Sequence, residues 1–111
     1  MAMAHAICED FCEAWRIINQ LHTRPTVITK EYLEELAHNL HILKGLVESL
    51  AATAAPARPE AAKELTSIGA SIELILFQLE QENPPLTTIY STITSIRNRI
   101  NDLREELGCR C

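Results

Sequence analysis

Apolar residues recur along this chain at alternating steps of three and four, in four separate runs. The first run is Ile7, Phe11, Ala14, Ile18 and Leu21. The second is Leu33, Leu36, Leu40, Leu43, Val47 and Leu50. The third is Ala61, Leu65, Ile68, Ile72, Ile75 and Leu79. The fourth is Leu86, Ile89, Ile93, Ile96, Ile100, Leu103 and Leu107. A mean step near 3.5 keeps one apolar seam turned toward a neighbouring helix, as in left-handed helical bundles. The spacing predicts helices over about 4–22, 29–53, 59–82 and 85–107.

The residues between the runs carry the matching stop and start signals. Thr23, Arg24, Pro25 and Thr26 separate the first two segments, and Thr29 is placed to cap the second helix, with Glu31 in its first turn. An Ala/Pro linker runs over 53–59, and Pro59 suits a first helical position. Pro84 and Pro85 stop the third helix, and Gly108 suits the C-terminal cap of the fourth. Short connections make successive helices antiparallel neighbours. The expected fold is all-α: a small up-down four-helix bundle, or helical hairpins that close only on dimerisation. Either way one helical domain fills 1–111. The up-down order brings Cys8 and Cys12 to the same end as Cys109 and Cys111.

Two helices carry more apolar residues than a seam needs. The second adds Ile42 and Leu46, and the third adds Leu74, Leu76 and Phe77. Surplus apolar surface points to a second interface, the alternative being a wide buried face in a monomer. Composition narrows the classes further. At 111 residues the chain is one domain. The 47% apolar fraction excludes a disordered chain, and the three glycines and 5% aromatics argue against an all-β fold. Ten Lys and Arg against fifteen Asp and Glu give a net charge of −5, the wrong sign for nucleic-acid binding. The longest unbroken aliphatic or aromatic run, Leu74–Phe77, is far short of the ~20 residues that cross a bilayer. No secretory signal is visible, so the sequence predicts a cytoplasmic protein with four reduced thiols.

Candidate chemistry is sparse. His41, Leu43, Lys44 and Gly45, followed by Leu50 and Ala51, resemble the phosphorylatable motif of histidine phosphotransfer domains, which are four-helix bundles of about this size. The resemblance implies His41 as phosphoacceptor, Lys44 offsetting phosphoryl charge and Gly45 leaving room for a receiver domain. The sequence departs from that motif at Leu46 and Val47, where small residues are usual, and at Ala51, where Gly is usual. Glu34, His38 and His41 share a helix face, and Glu35 with His38 forms one Glu-x-x-His element, where a di-iron core needs two. His5, Cys8 and Cys12, with Cys109 and Cys111, form a loose thiolate–imidazole set for zinc or copper. The same cysteines also suit disulfides within or between subunits. No Gly-rich phosphate loop and no nucleophile elbow is present. Trp15 reads as packing within the first helix. Arg97, Arg99, Arg104 and Arg110, interleaved with acids, read as a solvated face matched to the helix dipole. The reading is therefore of a non-enzymatic protein without cofactor or metal.

The length, the four-helix pattern and the stretch 59–77 (PEAAKELTSIGASIELILF) resemble the QslA-type anti-activators of quorum sensing. The resemblance implies a homodimer that binds the ligand-binding domain of a LuxR-type regulator such as LasR. It implies that the regulator's dimerisation surface is covered, so that the regulator stays off DNA. On that reading the third helix supplies the contact, with Leu65, Ile68, Ile72 and Leu76 as apolar area and Glu73 as a polar anchor at the rim.

Overall fold

The computed structural model describes residues 2–111, with side chains from Ile7 onward. Four helices follow one another: α1 (Ala2–His22), α2 (Lys30–Ala54), α3 (Pro59–Leu79) and α4 (Leu86–Glu106). Successive helices pack against one another, and α1 closes the ring against α4. The core is thus enclosed within a single chain in up-down-up-down order, and closure by dimerisation is not required. The molecule is a rod of 45 × 22 × 18 Å.

The seam positions form the core. Phe11, Ala14 and Ile18 of α1, Leu40, Leu43 and Val47 of α2, Leu65, Ile68, Ile72 and Ile75 of α3, and Ile89, Ile93 and Ile96 of α4 are all wholly buried. Each such Leu, Ile or Phe contributes roughly 1.5–3 kcal/mol by leaving water. Ile7, Leu33, Leu79, Leu86 and Leu107, at the ends of the seams, are only half-buried, because the bundle ends are open to solvent.

The helix ends follow local chemistry. Thr29 Oγ1 accepts a hydrogen bond from the Tyr32 N–H at 3.0 Å, and Pro59 occupies the first turn of α3. α3 ends at Leu79, earlier than the periodicity suggests. The N–H groups of Glu80 and Gln81 turn back to the carbonyls of Phe77 and Gln78, tightening the chain before Pro84 and Pro85. At the end of α4, Gly108 adopts a φ of +74°. Its N–H reaches the Glu105 carbonyl, and the Cys109 N–H reaches the Arg104 carbonyl. This Schellman closure reverses the chain and lays the tail back alongside α1.

The tail is fastened there by two disulfides, Cys8–Cys109 and Cys12–Cys111, with Cα separations of 5.1 and 5.5 Å. The expectation of four reduced thiols is overturned: no cysteine is free. Two cysteines four apart on a helix are displaced by about 6 Å along its axis. Two cysteines two apart in non-helical chain reach about the same distance. The two spacings therefore match, and both bonds form in register.

Candidate functional site

Apart from Val27 in the α1–α2 connection, the large apolar side chains that are exposed among the described residues lie on α2 and α3, and a trough runs between these two helices. Leu65, Ile68 and Ile72, expected to meet a partner, are wholly buried, and Leu76 is nearly so. Leu65, Ile68 and Ile72 occupy the seam that faces the other helices, so the folded bundle has no route by which a partner could touch them, while Leu76 reaches the surface only at the floor of the trough. This corrects the sequence-based assignment of Leu65, Ile68 and Ile72. Glu73 does stand outside, as expected of a rim residue, and pairs with Lys44 across the α2–α3 boundary at 3.0 Å.

The residues that do face out are Leu74 and Phe77, 53% and 63% exposed. Both belong to the apolar surplus of α3. They lie three residues apart, hence on one side of the helix. Ile42 on α2 is 44% exposed, and Leu46 is half-buried against the core. Beside Phe77 runs an open trough of about 640 Å³ between the first half of α2 and the last turns of α3. Leu33, Ala37, Leu76 and Leu79 supply its apolar floor, and Glu34, Glu73, Glu80 and Glu82 supply its rim. The surplus on α3 is visible in the sequence, but the apolar residues expected at the site, three seam positions and Leu76, are those the bundle takes up. Absence from the three-four series marks Leu74, Leu76 and Phe77 alike, and packing then buries Leu76 and leaves Leu74 and Phe77 outside.

His41 also lines this trough and is exposed. Gly45, one turn on, is exposed, and a Cβ placed there would meet nothing within 4 Å. The ground above the imidazole is open. Lys44 is not free to serve an anion, however. Its ammonium lies 3.0 Å from Glu48 and 3.0 Å from Glu73, and these two carboxylates, Glu48 first, hold its pKa above the ordinary value. A phosphoryl group on His41 would share the trough with four glutamates.

The remaining candidates are accounted for by local structure. Among the described residues, no three His, Cys, Asp or Glu side chains converge in a way that would hold a metal. The cysteine sulfurs of the thiolate–imidazole set are bonded to one another, and the side chain of His5 lies outside the described residues. Trp15 is half-buried, with the Arg97 and Arg104 guanidinium groups 5.0 and 5.2 Å from its ring. Arg97 Nε also donates to Asn19 Oδ1 at 2.7 Å. Arg99 pairs with Glu64 at 2.5 Å. The arginines of α4 thus tie α4 to α1 and α3 rather than forming a free basic stripe. No helix is long and apolar enough to cross a membrane. No protein-family model, curated protein or solved structure matches the chain.

Proposed function

We propose that this chain is a non-enzymatic protein-interaction regulator, an anti-activator that binds the ligand-binding domain of a LuxR-type transcription factor. It would cover the surface on which that factor dimerises and so keep it off DNA. The observation that carries the reading is the exposure of Leu74 and Phe77 on the outer face of α3, beside an apolar trough. Exposed large side chains of this kind contribute most when a partner takes them out of water. The resemblance of 59–77 to QslA-type proteins supplies the class of partner. Competition for a protomer surface requires no cofactor and no turnover.

The reading also expects a cytoplasmic homodimer. In a reducing compartment both disulfides would open. The proposed face tolerates that, because among the described residues α3 packs on α2 and α4 and not on α1, where the disulfides sit. Light scattering gives the mass of the free chain. Isothermal titration with a LuxR-type ligand-binding domain, in oxidised and reduced buffer, gives the binding. Leu74→Arg and Phe77→Arg are expected to stay helical and to lose at least about tenfold in affinity. If both variants fold and bind as the parent does, the proposal fails.

A second reading, phosphotransfer through His41, is favoured by the exposed imidazole and the open ground over Gly45. It ranks second because Lys44 is already paired with Glu48 and Glu73. Its test is incubation with a small phosphodonor, followed by mass spectrometry of the intact chain under alkaline conditions. A phosphoryl adduct on the parent and none on His41→Gln supports it, and no adduct on either eliminates it.

A further inference from the structure

Resting on the reading that this chain acts by binding a protein, we infer that the trough between α2 and α3 seats an amphipathic helix of about three turns. That partner helix carries an apolar stripe on its inner side and lysines or arginines along its shoulders. The shape of the site argues for a helix. From Lys30 to His41 the α2 wall runs about 17 Å, the length of three helical turns. The trough is lined by two helices and the turns at their ends, with no strand among the described residues, so an extended segment would find no sheet edge to join. An apolar floor of Leu33, Ala37, Leu76 and Leu79 suits residues spaced at i, i+3, i+4 and i+7.

Charge determines the rest of the partner's character. Four glutamates line the trough against one lysine, Lys30. Glu73 shares Lys44, whereas Glu34, Glu80 and Glu82 form no ion pair among the described residues. Covering these carboxylates with a neutral surface would strip their water without replacing it. An acidic partner would be repelled. A helix with basic shoulders meets each carboxylate with an opposite charge, and it would be steered toward a chain of net charge −5. A second copy of this chain offers the wrong complement here, since its own trough rim is equally acidic.

The test uses the full oxidised chain labelled with ¹⁵N and two synthetic peptides. One has leucines on a single helical stripe and lysines on the flanks; its twin has glutamates in place of the lysines. The lysine peptide is expected to become helical and to shift amides of α2 over 30–41 and of α3 and its following turn over 73–82. It should bind at least about tenfold more tightly than its twin. In the double variant Glu80→Lys and Glu82→Lys, both in an exposed turn, that preference should shrink several-fold. Shifts confined to other surfaces, equal binding of both peptides, or no binding of either would overturn the inference. The LuxR-type domain serves as the control that separates the two proposals. If it binds through Phe77 while both peptides fail, the helix inference falls and the regulator reading stands. If the lysine peptide binds in the trough and the domain does not, the regulator reading falls alone.

Discussion

Cys8 of α1 is bonded to Cys109, just beyond α4, across 101 positions of sequence, and Cys12 repeats the bond to Cys111 one helical turn along. The first and last parts of the chain are thereby held together twice at one end of the bundle. In the chain-entropy picture, either bond alone closes a loop of about a hundred residues and restricts the unfolded chain by roughly 4.7 kcal/mol. Once one bond exists, the other closes only a small ring, for which the same relation gives roughly 2 kcal/mol. The two contributions are therefore not additive. Replacing Cys12 and Cys111 by serine, or Cys8 and Cys109, should each cost about 2 kcal/mol, and replacing all four about 7 kcal/mol. Urea melts followed by circular dichroism compare the four forms. Equal stability of the parent and the four-serine form would show that the bonds do not constrain the unfolded chain.

Burial separates residues on α3 that sequence spacing alone presents as equivalent. Ile68 and Ile72 are wholly buried, while Leu74 and Phe77 are exposed. Ile72→Ala removes methyl groups from a closed core and should destabilise the bundle by about 2–5 kcal/mol. Ile68→Arg buries an unpaired charge and should leave little folded protein. Leu74→Arg should cost less than about 0.5 kcal/mol, because its side chain already meets water. Thermal melts of these three variants check the order. A Leu74→Arg variant as damaged as Ile68→Arg would mean that α3 is rotated relative to this packing.

The bundle was legible in the sequence because the three-four alternation is a geometric property of the helix itself. Leu40, Leu43 and Val47 are core for the same reason that they are evenly spaced. The caps at Thr29, Pro59 and Gly108 were legible because each supplies one local backbone need. The clustering of all four cysteines at one end was legible too, but disulfides stood there only as one alternative and without a pairing. Their pairing depends on Gly108 sending the tail back along α1, a tertiary event to which no cysteine spacing points. The interface was half legible. The surplus of apolar residues on α3 could be counted, but only packing shows that Leu76 is taken up by the bundle while Phe77 is left outside.

Gly45 and Gly108 should respond to alanine in opposite directions. Gly45 lies within α2, and an added Cβ meets nothing within 4 Å. Gly45→Ala therefore gains helix propensity without a clash and should stabilise the protein by about 0.5–1 kcal/mol. Gly108 has equally open surroundings but a φ of +74°. Gly108→Ala forces an L-residue into the left-handed region and should cost about 1–2 kcal/mol. The pair forms an internally controlled experiment, since neither change alters a packed contact. Both are read by urea denaturation, and a loss at Gly45 or a gain at Gly108 would contradict these backbone conformations.

The phenols of Tyr32 and Tyr90 meet at 2.8 Å, joining α2 to α4 near the end opposite the disulfides. Burial first, and then the Tyr32 hydrogen bond, hold the Tyr90 pKa well above its ordinary value of 10.0, outweighing the opposing effect of Arg24 over its ring. The sign of the linkage follows. With the folded pKa raised, the neutral phenol contributes stability that is fully present below pH 10 and is lost as the pH rises beyond it. Unfolding free energy should therefore decline above pH 10, and Tyr90→Phe should remove the phenol's share of that decline. Lys44, also held protonated by Glu48 and Glu73, is common to both proteins, so their difference isolates the tyrosine. Tyr32→Phe should lower stability at neutral pH by about 1 kcal/mol, through the lost hydrogen bond, and should also flatten the alkaline decline. Urea melts between pH 7 and 11, with brief exposure to the alkaline end so that hydroxide does not cleave the disulfides, compare the three proteins. Parallel alkaline declines for the parent, Tyr32→Phe and Tyr90→Phe would show that this hydroxyl pair does not couple folding to pH.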